Sequence, residues 1–255
     1  MTNIQYQHRF SEKYPQVVYN HEARERKAKT ILAVLRDFFE TDFRSFSILD
    51  VGCSTGIIAN YFSDYFSEVI GVDIDKSAIE YAKDNFSKDN IEFNIGDAMD
   101  VKYPKNSFDV VVCAHVYEHV PAADKLIAEI HRVLKPGGIC YFSAGNRLVV
   151  KEPHYNLPFL SVMPKYFANR YMRITGKGDS YYEKHLSYWG LKRLICNFEQ
   201  IDYTKRIVEA PELFYADYMI KRGTMKFAFA RLIVNYAYWI CPSYIWLLRK
   251  TDRSA

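Results

Sequence analysis

Residues 47–56 read Ser-Ile-Leu-Asp-Val-Gly-Cys-Ser-Thr-Gly, an apolar run that ends in an acid and is followed by two glycines. This pattern predicts a strand, a tight turn and the first turn of a helix. Gly52 can adopt a positive φ and Gly56 leaves no side chain in the way, so the backbone of the turn can approach a ligand closely. A dinucleotide-binding turn would read G-x-G-x-x-G, whereas this one reads D-x-G-x-x-x-G.

Four further apolar runs follow, with helical patterns between them. The predicted strands are residues 47–51, 68–73, 91–95, 108–113 and 139–144. Strands that alternate with helices predict an α/β fold built on a doubly wound parallel sheet. Ligands bind such sheets beyond the carboxyl ends of the strands. Gly52, Asp73, Asp97 and His115 all fall at predicted strand ends of this kind.

The five cysteines are an odd number and show no C-x-x-C spacing. Three of them fall in predicted strands or in the first glycine turn. This distribution indicates reduced thiols rather than a disulfide framework or a zinc site. Residues 1–11 are polar and lack the apolar stretch that a signal peptide requires. We therefore expect a cytoplasmic protein.

Charge is distributed unevenly along the chain. Residues 1–134 carry 15 Lys+Arg against 21 Asp+Glu, whereas residues 135–255 carry 19 against 9. The second half therefore presents positive potential, which suits an anionic substrate, a phosphate-bearing carrier or a membrane surface. A solvated basic face is the alternative explanation of the same count.

Several motifs follow the glycine turn at fixed distances. Asp73 ends the second strand 21 positions after Gly52, and Phe-Asp-Val-Val-Val, Glu-His-Val and Leu-Lys-Pro-Gly-Gly begin at residues 108, 118 and 134. Together these motifs cover residues 47–144 and resemble class I S-adenosylmethionine (SAM)-dependent methyltransferases of the small-molecule or glycan type. The resemblance implies a Rossmann-like, doubly wound seven-stranded sheet with an antiparallel last strand and helical insertions. It also implies SAM as cofactor and S-adenosylhomocysteine as product.

The resemblance assigns the cofactor site residue by residue. Asp73 would accept hydrogen bonds from the ribose hydroxyls, Ile74 would lie against the adenine, and Asp97 would accept from the adenine amine. The full set of expected cofactor-binding residues is Asp50, Gly52, Cys53, Gly56, Asp73, Ile74, Asp97, Ala98 and His115. The alternative role for Asp73 is the N-cap of the next helix, but Asp75 is closer to the start of that helix and suits the role better.

We expect a single methyltransferase domain over residues 1–255, in four segments. These are an N-terminal helical cap (1–45), a SAM-binding core (46–145), a substrate-cover insertion (146–186) and a C-terminal half of the sheet (187–255) with inserted helices at 211–241. Within the cap, Asn20 is expected to begin a helix that runs to about Glu40. Arg24 and Lys27 belong to its charged first turns, which we expect to face solvent.

Residues 227–241 are apolar around most of a helix but are interrupted by Arg231 and Asn235. The stretch is too short for a membrane span, which needs about 20 apolar residues. Three interpretations remain: a buried core helix, a homodimer interface within 211–241, or a helix that lies in the membrane interface as a peripheral contact with the inner membrane face.

Methyl transfer to oxygen needs a base whose pKa lies near neutrality, and histidine fits. We rank His154 first, because it lies in the substrate cover, and His119 second. His115 and His185 are further candidates. The sequence shows no clustered carboxylates that demand a metal, so none is expected.

The expected function is O-methylation of a hydroxyl on a small molecule or glycan, including a lipid-linked one, by in-line methyl transfer. Residues 152–160, Glu-Pro-His-Tyr-Asn-Leu-Pro-Phe-Leu, are similar to methyltransferases of surface-polysaccharide and glycolipid assembly. The alternatives are a quinone or lipid methyltransferase at the membrane surface and a non-catalytic scaffold that binds SAM or S-adenosylhomocysteine. Nucleic acid is disfavoured as a partner, because no recognition helix or RNA-binding module is evident.

Overall fold

The computed structural model describes residues 7–251. Its centre is one seven-stranded sheet of order β3-β2-β1-β4-β5-β7-β6. The strands are β1 Ser47–Val51, β2 Glu68–Asp73, β3 Ile91–Ile95, β4 Phe108–Ala114, β5 Leu134–Gly145, β6 Phe198–Asp202 and β7 Ser243–Lys250. β7 runs antiparallel to both of its neighbours, and β1 to β5 are parallel. The predicted fold class is confirmed, including the antiparallel last strand.

Helices cover both faces of the sheet. They are α1 Phe10–Lys13, α2 Pro15–Val18, α3 His21–Phe39, α4 Ile57–Phe62, α5 Lys76–Asn85, α6 Ala123–Val133, α7 Lys165–Ile174, α8 Tyr188–Leu194, α9 Thr204–Glu209 and α10 Met225–Tyr236. Short 3₁₀ turns occupy Gln7–Arg9, Leu160–Val162, Pro211–Phe214 and Tyr238–Ile240. α3, α4, α5 and α9 contribute buried side chains to the core on one face. α6 and α8 contribute to the core on the other face.

Two helix starts follow directly from the sequence. The Asn20 side chain accepts a hydrogen bond from the Ala23 N–H at 3.0 Å and begins α3. The Asp75 side chain accepts one from the Ala78 N–H at 3.2 Å and begins α5. Each bond satisfies a backbone donor that the first helical turn would leave unpaired. Because Asp75 is the N-cap, the alternative assignment of Asp73 to that role falls away.

The second half of the chain departs from the predicted elements. The sequence of residues 200–208 predicts one further strand, but β6 ends at Asp202 and α9 begins at Thr204. The Asp202 carboxylate accepts a hydrogen bond from the Thr204 N–H at 2.9 Å, and this local bond turns the chain out of the sheet. The helix expected over 212–221 is a single 3₁₀ turn followed by irregular structure.

Residues 146–186 contain more regular structure than the sequence indicated. α7 lies within this stretch, and a small core of its own holds the segment together. That core consists of Tyr155, Leu157, Leu160, Ala168, Met172 and Tyr181. The four-segment division of the chain, including the term substrate cover for 146–186, stays a prediction.

The helix expected over 224–240 is α10 followed by a 3₁₀ turn. Val234 is the one buried residue of α10, so the interpretation as a buried core helix is wrong. Ile233 is partly buried and packs against the same core, and the rest of α10 contributes no buried side chain. Among residues 7–251, no helix is both long enough and apolar enough to cross a bilayer.

Candidate functional site

A cavity of about 630 Å³ opens at the carboxyl ends of the parallel strands. Residues that follow β1, β2, β3 and β4 line it. α3, the 146–154 stretch and the residues around 218 and 242 complete the lining. The site therefore lies where ligands bind in open α/β sheets.

The glycine turn after β1 is shaped for close approach. Gly52 has φ +72°, and a Cβ there would meet the Val116 side chain at 2.7 Å. Ser54 also adopts a positive φ, of 53°, which is uncommon for a residue with a side chain. Its N–H donates to Asp73 Oδ2 at 2.8 Å, and this bond ties the turn to the end of β2. Gly52 and Ser54 both face the cavity.

Asp73 ends β2 at the cavity wall, as predicted. Its carboxylate accepts the Ser54 N–H and, at 2.9 Å, the Asp75 N–H. Burial raises its pKa although these hydrogen bonds act in the opposite direction. A carboxylate has about four acceptor positions, so two remain for a ligand. Ile74, Asp97 and Ala98 line the same end of the cavity.

Three of the expected cofactor residues do not line the cavity. The Cys53 side chain is buried in the core, where burial raises its thiol pKa well above the usual range. Gly56 has φ +73°, and a Cβ there would meet the Phe93 ring at 2.6 Å, so its role is to start α4 within tight packing. Asp50 is buried beneath the turn, and burial raises its pKa to about 7.

Two functional residues were missed by the sequence analysis. Arg24 and Lys27 line the cavity from α3, so the expectation that both face solvent was wrong. Within residues 7–251 neither has a carboxylate oxygen within 4.0 Å. Burial lowers the pKa of Arg24, and it lowers that of Lys27 to about 8. Their three-residue spacing, in phase with the buried Ile31, was the signal that could have found them.

His115 stands at the end of β4 with φ +60° and lines the cavity. Its Nδ1 lies 3.1 Å from Glu118 Oε1, and its Nε2 lies 3.0 Å from Ser143 Oγ. Glu118 is buried, which alone would raise its pKa, but the hydrogen bond and charge of His115 lower it to about 2. Both nitrogens of His115 are therefore engaged, and the residue acts as a fixed part of the wall.

His119, His154 and His185 group together and line the cavity. His119 comes after β4 and His185 lies beside Gly145 at the end of β5, whereas Asp73 ends β2 on the other side of β1. The rings of His119 and His154 lie 4.9 Å apart, and those of His154 and His185 lie 6.4 Å apart. Burial lowers the pKa of His119 to about 4 and also lowers that of His185. The sequence ranking of His154 and His119 thus selected two members of one cluster, which the fold brings together from separate segments.

His154 differs from His119 and His185 because a buried carboxylate lies within hydrogen-bond distance of its ring. Its Nδ1 lies 2.7 Å from Glu152 Oε1, and Glu152 is fully buried. Burial alone would lower the His154 pKa, but this hydrogen bond and the charge of Glu183 raise it. An ionised carboxylate only accepts hydrogen bonds, so Nδ1 must carry the proton. Nε2 of the neutral ring is then left with a free lone pair.

The same cluster could hold a metal ion. His119, His154 and Glu183 each offer one ligand atom, and the three atoms lie within 4.8 Å of one another. Two imidazoles and one carboxylate suit zinc or another divalent transition metal. The sequence could not show this grouping, because the three residues are more than 25 positions apart along the chain. α7 also lies between His154 and Glu183.

The residues on the cavity wall fit SAM. Asp73 has acceptor positions for a ribose, and Asp97 has them for an exocyclic amine. Arg24 and Lys27 offer two cations to a carboxylate. Gly52 lines the cavity with its backbone, because the Val116 side chain fills the space where its Cβ would lie. The arrangement thus provides partners for both ends of the cofactor and leaves the histidine cluster on the far side for a second molecule.

Comparisons with known proteins agree with this geometry. The sequence profile of the family described as "Methyltransferase domain" matches residues 49–142. The demethylmenaquinone methyltransferase of Lactococcus lactis subsp. lactis is 36% identical over 131 residues, which are 48% of this chain and 52% of that protein. The ubiquinone biosynthesis O-methyltransferase of Coxiella burnetii is 32% identical over 102 residues, or 39% of this chain and 44% of that protein.

A solved structure of the PH0226 protein from Pyrococcus horikoshii OT3 has the same fold. It superimposes with a TM-score of 0.59 at 16% identity and covers 95% of this chain and 98% of its own. The chain spans about half the length of the curated relatives it matches. Residues 49–142 are therefore part of a class I SAM-dependent methyltransferase domain. The order and directions of the seven strands agree with the fold of that class.

Proposed function

We propose that the chain transfers the methyl group of SAM to a hydroxyl on a small-molecule or glycan acceptor, including a lipid-linked one. The observation that carries the proposal is the Glu152–His154 pair. His154 lines the same cavity as the glycine turn and lies beside His185, which contacts Gly145 at the end of β5. Asp73 and Asp97 follow β2 and β3 on the other side of β1. The acceptor would bind against the histidine cluster, and the cofactor would bind along the strand ends.

Each residue of the cofactor side has a specific part. Asp73 accepts from the ribose hydroxyls, Asp97 accepts from the adenine amine, and Ile74 packs on the adenine. Arg24 pairs with the cofactor carboxylate, and Lys27 adds positive potential beside it. The sulfonium supplies an activated methyl group. The remaining task of the chain is therefore to align the acceptor oxygen and to take up its proton.

His154 is the residue that we assign to the proton. Glu152 holds Nδ1–H, so Nε2 is the nitrogen that remains to accept a proton. Glu152 also stabilises the imidazolium that forms, because the two opposite charges then lie at hydrogen-bond distance. A general base in this position contributes typically about 10²–10⁴-fold to the rate. His119 would assist by hydrogen bonding to the acceptor in its neutral form.

The test is the His154→Ala variant with methyl-labelled SAM and extract from the source cell as acceptor. We expect turnover to fall roughly 10²–10⁴-fold, with the SAM Kd unchanged in titration calorimetry. His131→Ala is the matched control, because His131 lies on α6 outside the cavity. Full activity of His154→Ala would remove His154 from the mechanism. SAM binding without any transfer by the unmodified protein would instead favour the scaffold alternative.

A membrane quinone or lipid is the second candidate acceptor. Two relatives are named for demethylmenaquinone and ubiquinone biosynthesis. Partition of the labelled product between organic and aqueous phases separates the candidates. Label in the organic phase would support a lipid, a quinone or a lipid-linked glycan. Label in the aqueous phase would support a small polar metabolite or a free glycan.

A further inference from the structure

α10 exposes one apolar face to solvent. Met225, Phe229, Leu232 and Tyr236 recur at helical spacing and so share one side of the helix. Their exposed fractions range from 56% to 85%. Val234, the one buried residue of α10, lies on the opposite side. We call these four residues the α10 face.

Two tryptophans lie beyond the C-terminal end of the α10 face. The rings of Trp189 and Trp239 are 5.7 Å apart, and both side chains are exposed. Trp239 follows Tyr236 by three residues, so the aromatic surface continues from the helix into the 3₁₀ turn. Tryptophan and tyrosine favour a half-wet position between an apolar phase and water.

The segment that contains the α10 face carries charges of one sign. Residues 218–251 contain no Asp or Glu. Lys226 and Arg231 project from the two flanks of the apolar stripe, because they lie about a quarter to a third of a turn to either side of it. Within the described residues, neither of them nor Lys221 has a carboxylate oxygen within 4.0 Å. Arg222 differs, since it pairs with Glu212 at 3.0 Å.

We propose that the α10 face docks on the surface of an anionic lipid bilayer. Charge complementarity favours a bilayer over a second copy of the chain. In a two-fold symmetric dimer the same patch meets itself, so Lys226 and Arg231 would face their own copies with no acid in the segment to offset them. α10 has 12 residues and is therefore about 18 Å long. A helix of this length lies in the interface plane and does not cross the roughly 30 Å hydrocarbon core.

Docking would bring the cavity close to the lipid. Tyr218 and Met219 line the cavity just before the segment that contains α10, and Pro242 and Ser243 line it just after. The α10 face is thus carried on a loop whose two ends form part of the cavity wall. This consequence for the acceptor rests on the proposed function, whereas bilayer binding itself does not.

The experiment is vesicle co-sedimentation of the whole chain, with mixed phosphatidylglycerol–phosphatidylcholine vesicles compared with pure phosphatidylcholine. We expect binding to the anionic vesicles that weakens with added salt. Lys226→Gln/Arg231→Gln should weaken it roughly 25-fold, about fivefold for each cation. Phe229→Ser/Leu232→Ser should weaken it at least about tenfold through lost apolar burial. Ile95→Ser is the matched control, because Ile95 is equally exposed but lies on β3 at the opposite edge of the sheet.

Three results would overturn the proposal: no binding to either vesicle, equal binding to both, or unchanged binding of the two double variants. Sedimentation equilibrium without lipid tests the alternative, in which the α10 face binds a second copy of the chain. A dimer that dissociates on Phe229→Ser/Leu232→Ser would assign the face to a second copy. SAM affinity, measured by calorimetry on the same samples, keeps a failure of docking distinct from a failure of the proposed function.

Discussion

Glu152 is buried and its carboxylate accepts two hydrogen bonds. One comes from the Tyr155 N–H at 2.8 Å, and the other comes from His154 Nδ1 at 2.7 Å. The first bond fixes the carboxylate against the backbone of its own loop. The second fixes the tautomer of the imidazole. A rigid carboxylate behind a histidine is the arrangement that keeps a base aimed at one position.

The pH dependence of turnover follows from the raised pKa of His154. A base works in its neutral form, so kcat/KM should fall as the pH falls through that raised pKa. Glu152→Gln removes the adjacent negative charge and should lower the His154 pKa, which moves the acid limb of the profile to lower pH. Glu129→Gln is the control, because Glu129 pairs with Arg132 on α6. An acid limb that does not move in Glu152→Gln would exclude His154 as its origin.

Zinc should inhibit the reaction. His119, His154 and Glu183 can close on a divalent ion, and the ion would occupy the His154 lone pair that the proposed mechanism needs. We expect added Zn²⁺ to inhibit competitively with the acceptor and EDTA to restore the rate. Glu183→Gln should weaken the inhibition because a charged ligand is lost. Activation by Zn²⁺ would contradict the role of His154 as a base.

At the residue scale, sequence reasoning worked where a strand end fixes the position. Asp73 and His115 could be placed at the cavity because they end or follow a buried apolar run, and Asp97 because it comes just after β3. Arg24 and Lys27 could not be placed there, because the sequence of a charged helical turn does not show whether its side chains face solvent or a cavity. The His154–Glu152 bond was also out of reach, because it depends on an irregular loop.

Among the elements, the start of α4 depends on a glycine. Gly56 and Gly137 have nearly the same φ, +73° and +74°, but only Gly56 is crowded, by Phe93 and Ala82. Gly56→Ala should destabilise the fold by about 2–4 kcal/mol through backbone strain and overpacking. Gly137→Ala should cost about 1–2 kcal/mol through strain alone. Denaturant unfolding of both variants measures the difference, and equal losses would mean that the Phe93 ring moves aside freely.

The strands β1, β2, β4 and β5 were predictable, because a strand buried on both faces leaves a largely continuous apolar run. β3 is an edge strand in which only Phe93 is buried. Beyond Gly145 the secondary structure predicted from the sequence was less accurate. β6 is short and is followed almost at once by α9, so the sequence of the two elements together predicted one long strand. α10 is apolar although exposed, so its composition suggested a core position that its surroundings do not provide.

At the scale of the whole molecule, the cofactor should stabilise the fold. A ligand that binds only the folded state at 100 times its Kd adds about 2.7 kcal/mol, which for a chain of this size raises Tm by roughly 5–10 °C. Asp73→Ala should remove most of this gain, because a lost hydrogen bond to a charged group costs about 1.5–3 kcal/mol of affinity. Asp124→Ala, an exposed site on α6, is the control. An undiminished shift in Asp73→Ala would mean that the ribose binds elsewhere.

The position of β7 has a consequence for biosynthesis. β7 lies between β5 and β6, and residues 146–242 separate it from β5 along the chain. During translation the outer edge of β5 therefore emerges long before its partner and exposes unpaired backbone groups. β6 has no neighbour at all until β7 is made. A chain that ends before residue 243 would therefore keep an open, apolar sheet edge, which is the kind of surface that promotes aggregation before folding is complete.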